Sequence, residues 1–231
     1  MVRKMRRKQD TRTIKFKKYK ARLNLDGYRM ETGRYSDETK IYYPVVKWNS
    51  IIFVLALVCL IGWSTTHIDY VLEFPQAPVD RDVYMRIPKV MDLVIYNKFK
   101  SIVQWKPNDY LLRVHRNLYG SKVSGGVCND YLTKKLIQKV GFCQSKIDPC
   151  VFYKGKTLLL LYTDDSILIG PDQNDINDII KDIKKENLDI TVEGDIQYFL
   201  GINIEKNIKV TITFSQPHII DHILKYIRLY E

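Results

Sequence analysis

The sequence predicts an α+β domain in which an antiparallel sheet is backed by helices. Short runs rich in β-branched residues and leucine, at Ser64–Tyr70, Thr157–Tyr162 and Ser166–Ile169, read as strands. Ile176, Ile179, Ile180 and Ile183 recur at i, i+3, i+4 and i+7, the period of an amphipathic helix. The 231 residues, 45% of them hydrophobic, can fill one sizeable core.

Taken in order, Ile14 and Phe16 alternate with lysines, residues 21–25 look extended, and Asp26-Gly27 reads as a hairpin-type turn, which together predict a basic two-stranded ribbon. A helix is expected from Lys47 to Ile61, stopping at Gly62, followed by the strand Ser64–Tyr70. Asp82–Ile87 alternates as a strand, whereas residues 91–108 show little periodicity and read as a loop-rich insertion. A helix over Gly126–Val140 should end at Gly141, and Cys150–Tyr153 and Thr157–Tyr162 should be strands joined at Gly155. The isoleucine helix has aspartates at its front and lysines at its back, in the sense its dipole favours. Leu188–Val192, Phe199–Glu205 and Val210–Phe214 read as strands, and Gln216–Tyr230 as a closing amphipathic helix.

The formal charge of +11 is unevenly distributed. Residues 1–22 hold eleven Lys or Arg and one acid, Asp10, so nearly all of the excess lies in an N-terminal arm. Such an arm suits a polyanion through counterion release, and equally a solvated tail or an import signal. The 11 Gly and 8 Pro exclude a collagen-like or linker composition, and four Cys are too few for a disulfide-stapled mini-domain. Reduced thiols in an intracellular compartment are expected. The longest apolar run, Ile51–Ile61, falls short of the roughly 20 residues a bilayer span needs. Cys143, Cys150, His218 and His222 form no CxxC pair and match no common zinc spacing, while His67 and His115 read as strand-face residues.

Asp164 and Asp165 sit between two apolar strands. Adjacent carboxylates there raise each other's cost of ionisation, and burial adds to it unless a cation is near. A divalent cation relieves that cost; an exposed hairpin turn, where Asp is a favoured residue, avoids it. Both readings stand on the pair alone. Asp69 ends a second strand, His67–Tyr70, with Phe74 five positions on. Hard oxygen ligands from two neighbouring strands are what a pair of Mg²⁺ ions clamping a phosphoryl transfer requires, although a strand-end cap would also account for Asp69.

Several ordered blocks also resemble a known family. They are Lys20-Ala21-Arg22-Leu23, Tyr43-Pro44-Val45-Val46, Gly62-Trp63, Asp69 through Phe74, Val83-Tyr84-Met85, Leu118-Tyr119-Gly120 with Lys122, Tyr162-Thr163-Asp164-Asp165, Phe199-Leu200-Gly201-Ile202 and Ser215-Gln216-Pro217. From about Lys15 onward the chain resembles the reverse transcriptase domain of copia-type LTR retrotransposons. The resemblance implies a polymerase palm, with the antiparallel sheet backed by helices at about 63–77 and 118–231. It implies a small N-terminal fingers part at about 14–62 with part of 78–117; the basic arm at 1–13, which has no apolar period, reads as disordered. The resemblance further implies an RNA-directed DNA polymerase that uses two Mg²⁺ ions, with Mn²⁺ as a substitute, and acts on an RNA template, a DNA primer and deoxynucleoside triphosphates. The expected setting is intracellular, a cytoplasmic particle or the nucleus, away from any membrane.

By the same resemblance Asp69 and Asp164 would be the principal metal ligands and Asp165 a supporting one. Phe74 would be the gate against ribose 2′-hydroxyls, although plain core is the commoner fate of a lone Phe; on the residues themselves, Lys20 and Arg22 of the basic ribbon could pair with a triphosphate or stand as exposed strand charges with no specific partner, and Tyr70 is counted with the nucleotide contacts. The chain departs from the family pattern at Glu73, where a small residue is usual. It departs again at Ile52, Val123, Gly126 and Cys128, where Arg, Gln, Arg and Trp are usual. Lost hydrogen bonds at those positions would reduce activity, so a catalytically inactive palm-fold nucleic-acid-binding remnant is the alternative. With no ribonuclease H, integrase or protease segment in view, the chain reads as a fragment of a longer product or a truncated frame.

Overall fold

The computed structural model describes residues 22–30, 41–88, 91, 97, 109–207 and 211–227. The basic arm, the Ile14 and Phe16 segment and Lys20 lie outside the described residues. Two compact units are formed, one by Met1–Tyr43 with Phe74–Asp130, the other by Pro44–Glu73 with Tyr131–Glu231.

The second unit contains helix α1, Trp48–Ile61, which carries no charged residue and buries Ile51, Val54, Leu55 and Val58. Gly62 ends it at φ 72°, a left-handed conformation that a side chain disfavours. The turn delivers strand β1, Ser64–Tyr70. The sheet continues with β4 (Cys143–Gln144), β5 (Val151–Lys154), β6 (Thr157–Tyr162), β7 (Asp165–Gly170) and β8 (Ile190–Gly194). Its order is β4-β5-β6-β7-β1-β8, with every pairing antiparallel. Strand β1 is therefore interior, and Thr65, Thr66, His67 and Ile68 are all buried. The isoleucine helix, Gln173–Lys185, buries all four isoleucines of its stripe and is capped by Asp172, whose side chain accepts the Asn174 N–H.

Two sequence readings need correction. The stretch read as one strand from Phe199 to Glu205 is broken. Leu200 and Gly201 take φ 52° and 83°, giving a two-residue turn between β9 (Tyr198–Phe199) and β10 (Ile202–Asn207). Gly201 suits such a turn, but Leu200, a residue that does not favour positive φ, hides it. The helix read as Gly126–Val140 begins at Ser124 and is α-helical to Lys135, then widens to a π-helical turn over Leu136–Val140 before Gly141. The closing helix spans Pro217–Tyr226 and follows β11, Thr211–Ser215, which pairs with β10.

The first unit contains a hairpin-like pair, β2 (Pro78–Arg86) and β3 (Leu111–Arg116). Strand β3 was read only through His115, as a strand-face residue, and its extent went unread, although Leu112 and Val114 alternate with Arg113 and His115. The Asp26-Gly27 segment forms no hairpin ribbon among the described residues. Gly27–Arg29 is a single 3₁₀ turn, Asn24 makes an isolated parallel bridge with Tyr119, and the Leu25 N–H donates to the Tyr119 carbonyl at 2.8 Å. The reason is close approach: a Cβ on Gly27 would collide with the Gly120 carbonyl oxygen, so glycine serves contact between two segments there.

Candidate active site

Strand β1 ends at Asp69-Tyr70, and the β6–β7 hairpin turns at Thr163-Asp164. Antiparallel register sets Asp69 opposite Asp165, and residues directly opposed on paired strands point to the same face. The Tyr70 N–H donates to the Asp164 carbonyl at 2.8 Å, tying the turn to the end of β1. The three aspartates read from the sequence thus come from adjoining ends of neighbouring strands. Thr163 takes φ 47°, a left-handed conformation rare for a β-branched residue, and its Oγ1 donates to Asp164 Oδ1 at 3.0 Å. Asp164 is exposed, while Asp69 and Asp165 are half-buried.

Electrostatics make this a region short of positive charge. Burial pushes the Asp69 carboxyl above its ordinary value, and the charges of Asp164, Asp165 and Glu193 push it further, with His67 opposing. His67 lies two residues earlier on the same face of β1 and is buried. Its Nε2 is 3.2 Å from Asp165 Oδ1, and its Nδ1 is 3.3 Å from Glu193 Oε2. The imidazole is held above its ordinary value chiefly by the hydrogen bond to Asp165. Burial opposes this, and the charges of Asp165, Glu193 and Asp69 add to it. The Phe199 ring meets His67 edge-on at 6.3 Å and Tyr162 at 6.4 Å. His67 was read only as a strand-face residue. Its contact partner is 98 residues away, so no local spacing marks it.

The remaining expected site residues distribute as follows. Phe74, in the short helix α2 (Glu73–Gln76), is half-buried, with its ring 4.8 Å from that of Tyr119. The Arg22 guanidinium lies 4.1 Å from the centre of the same Tyr119 ring. Tyr119 thus joins two residues that the sequence supplied separately, and it was itself named only within a motif block, with no site role. Tyr70 is 1% exposed, and strand alternation turns it to the face opposite Asp69, so its side chain is core and only its backbone is near the turn. Glu73 is likewise buried, at 3% exposure.

Among the described residues, no group of three or more His, Cys, Asp or Glu side chains is gathered into a ready metal cage. The donor chemistry nevertheless suits a hard cation. Asp69, Asp164 and Asp165 offer only carboxylate oxygens, and the burial and like charge that raise the Asp69 carboxyl are relieved by positive charge. No described helix is long and apolar enough to cross a membrane.

The family model described as reverse transcriptase (RNA-dependent DNA polymerase) matches residues 3–231. The chain is 25% identical over 219 residues to the retrovirus-related Pol polyprotein from transposon TNT 1-94 of Nicotiana tabacum, covering 91% of this chain and 15% of that protein. It is 28% identical over 193 residues to the Pol polyprotein from transposon RE1 of Arabidopsis thaliana, covering 82% and 12%. To the Ty1-DR1 Gag-Pol polyprotein of Saccharomyces cerevisiae it is 29% identical over 155 residues, covering 62% and 9%. The chain therefore spans less than a sixth of the length of these curated relatives. With the family model matched across nearly its whole length and relatives that are Pol polyproteins of transposons, the chain belongs to the reverse transcriptase family, in its copia-type branch.

Proposed function

We propose that this chain is an RNA-directed DNA polymerase that extends a DNA primer on an RNA template by two-metal nucleotidyl transfer. The six-stranded sheet is read as part of a palm at about 63–77 and 118–231, with the fingers at about 14–62 and part of 78–117. The observation that supports the reading is the register of Asp69 against Asp165 with the Asp164 turn bonded to Tyr70. Asp69 and Asp164 are the principal carboxylates toward the ions, and Asp165 supports them. Bound Mg²⁺ would lower the pKa of the primer 3′-hydroxyl and neutralise the leaving pyrophosphate.

In that reaction the 3′-oxygen forms a bond to the α-phosphorus of a deoxynucleoside triphosphate as the bond to pyrophosphate breaks. The Phe74 ring is the barrier to a ribose 2′-hydroxyl, its orientation supported by Tyr119. Arg22 offers a guanidinium to the triphosphate. Lys20 keeps the same assignment on sequence grounds.

Deoxythymidine triphosphate incorporation on poly(rA) primed with oligo(dT), in Mg²⁺ or Mn²⁺, tests the reading, and Asp164→Asn should abolish it. Glu73, Val123, Gly126 and Cys128 favour one competitor, a catalytically silent nucleic-acid-binding remnant. If wild type and Asp164→Asn both retard the hybrid in a gel and neither extends the primer, the competitor is correct.

A further inference from the structure

Asp165 and Asp164 are neighbours in sequence, but their carboxylates have different surroundings. Asp165 Oδ1 is taken by His67 Nε2 at 3.2 Å, whereas among the described residues Asp164 Oδ1 meets the hydroxyl of the adjacent Thr163 alone. His67 is itself held firmly. Its side chain is 11% exposed, Phe199 meets it edge-on, and Glu193 faces its other ring nitrogen.

The position of Glu193 follows from a slip in the β1–β8 register. Ile68 pairs with Val192, but His67 pairs with Gly194, so Glu193 is an extra residue on β8 with no opposite number. Such a bulge re-aims a side chain, here toward His67 Nδ1. Asp165, His67 and Glu193 therefore form a carboxylate–imidazole–carboxylate bridge across three adjacent strands, β7, β1 and β8.

We propose that His67 is a positioning residue that ties one oxygen of Asp165 to β1, withholds that carboxylate from a divalent cation, and leaves Asp69 and Asp164 as the pair that meets it. The inference rests on the polymerase reading above and deepens it by giving His67 the task of holding Asp165 back. The physical reason is competition. A carboxylate oxygen that accepts a hydrogen bond from a fixed, buried donor must give it up before it can ligate a cation fully, and outer-shell partners of this kind alter metal affinity by about tenfold or more.

The test is Mn²⁺ binding to the full chain, read from the electron paramagnetic resonance signal of free Mn²⁺, with no catalysis involved. Asp164→Asn should raise the dissociation constant by about tenfold or more, while Asp165→Asn should raise it only about twofold. His67→Leu should release Asp165 and lower the constant by about three- to tenfold. His67→Gln, whose amide restores a donor, should return it close to the wild-type value. Added to Asp165→Asn, the leucine substitution should give no gain.

Equal weakening by Asp164→Asn and Asp165→Asn overturns the proposal even if His67→Leu fails to fold. So does unchanged affinity in a His67→Leu protein with wild-type circular dichroism. Wild-type binding that Asp164→Asn abolishes but His67→Leu leaves alone removes this inference and keeps the polymerase reading. No Mn²⁺ binding by the wild type removes both.

Discussion

The Asp148 carboxylate accepts the backbone N–H of Lys47, 101 residues earlier, at 2.9 Å and so caps helix α1 from a distant loop. The same oxygen accepts the Ser50 hydroxyl at 2.6 Å, and the other accepts the Cys150 N–H at 3.0 Å. Lys47 has no capping side chain of its own, so this carboxylate satisfies a donor at the helix start that would otherwise lack a partner.

Asp148→Ala should therefore destabilise the fold by about 2–3 kcal/mol, since a buried acceptor with three donors is lost. Asp148→Asn should cost less, because one oxygen remains. Urea unfolding followed by circular dichroism measures both, and a midpoint unmoved by the alanine would refute the cap.

Thiol chemistry should separate the four cysteines by environment. Cys143 is exposed, Cys59 half-buried, and Cys128 and Cys150 buried. Burial, with the Asp148 charge adding, pushes the Cys150 thiol up to about 12, so its reactive thiolate is scarce near neutral pH. Ellman's reagent at pH 8 should label Cys143 first and Cys59 next, with Cys128 and Cys150 released only by denaturant. Rapid labelling of Cys150 in the folded protein would contradict this packing.

On the isoleucine helix, Asp182 receives Lys185 Nζ at 3.0 Å and Lys154 Nζ at 3.2 Å. The hydrogen bond from Lys185, then that from Lys154, holds its carboxyl below the ordinary value of 3.8. A carboxyl lowered on folding adds stability at pH values above its unfolded value and loses it as the pH falls through the folded one. Water screens these partly exposed pairs, so Asp182→Asn should cost only about 0.5–1 kcal/mol at neutral pH. Urea titrations at several pH values should show the gap from wild type closing below 3.8. A gap that widens in acid would reverse the sign argued here.

Phe74 and Tyr119 stand together at 4.8 Å between ring centres. If Phe74 is the proposed barrier, Phe74→Ala should raise ribonucleotide incorporation relative to deoxynucleotide by about tenfold, equivalent to 1.4 kcal/mol of lost discrimination. Tyr119→Ala should shift the same ratio less, through loss of the ring that supports the barrier. Competition assays with paired nucleotides on one template read the ratio directly. Unchanged discrimination in Phe74→Ala would make that ring simple packing.

What the sequence by itself determined was local. The i, i+3, i+4 spacing marked the isoleucine helix, Gly62 marked the end of α1, and apolar runs marked β1, β6 and β7, because each signal is contained within one element. It also supplied the ordered motifs by which the family was recognised. It misled where backbone conformation contradicted residue type, as at Leu200, and where a glycine served close approach between segments, as at Gly27.

Only the tertiary structure decided which residues meet: Asp69 with Asp165, His67 with both Asp165 and Glu193, Asp148 with Lys47, and Phe74 and Arg22 with Tyr119. These contacts depend on strand order, on a slip of one residue in the β1–β8 register and on loops brought together from far apart in the chain. Spacing along a chain carries no record of such pairings. A register shift of one residue would turn the Asp165 side chain to the opposite face while leaving the amino-acid pattern unaltered.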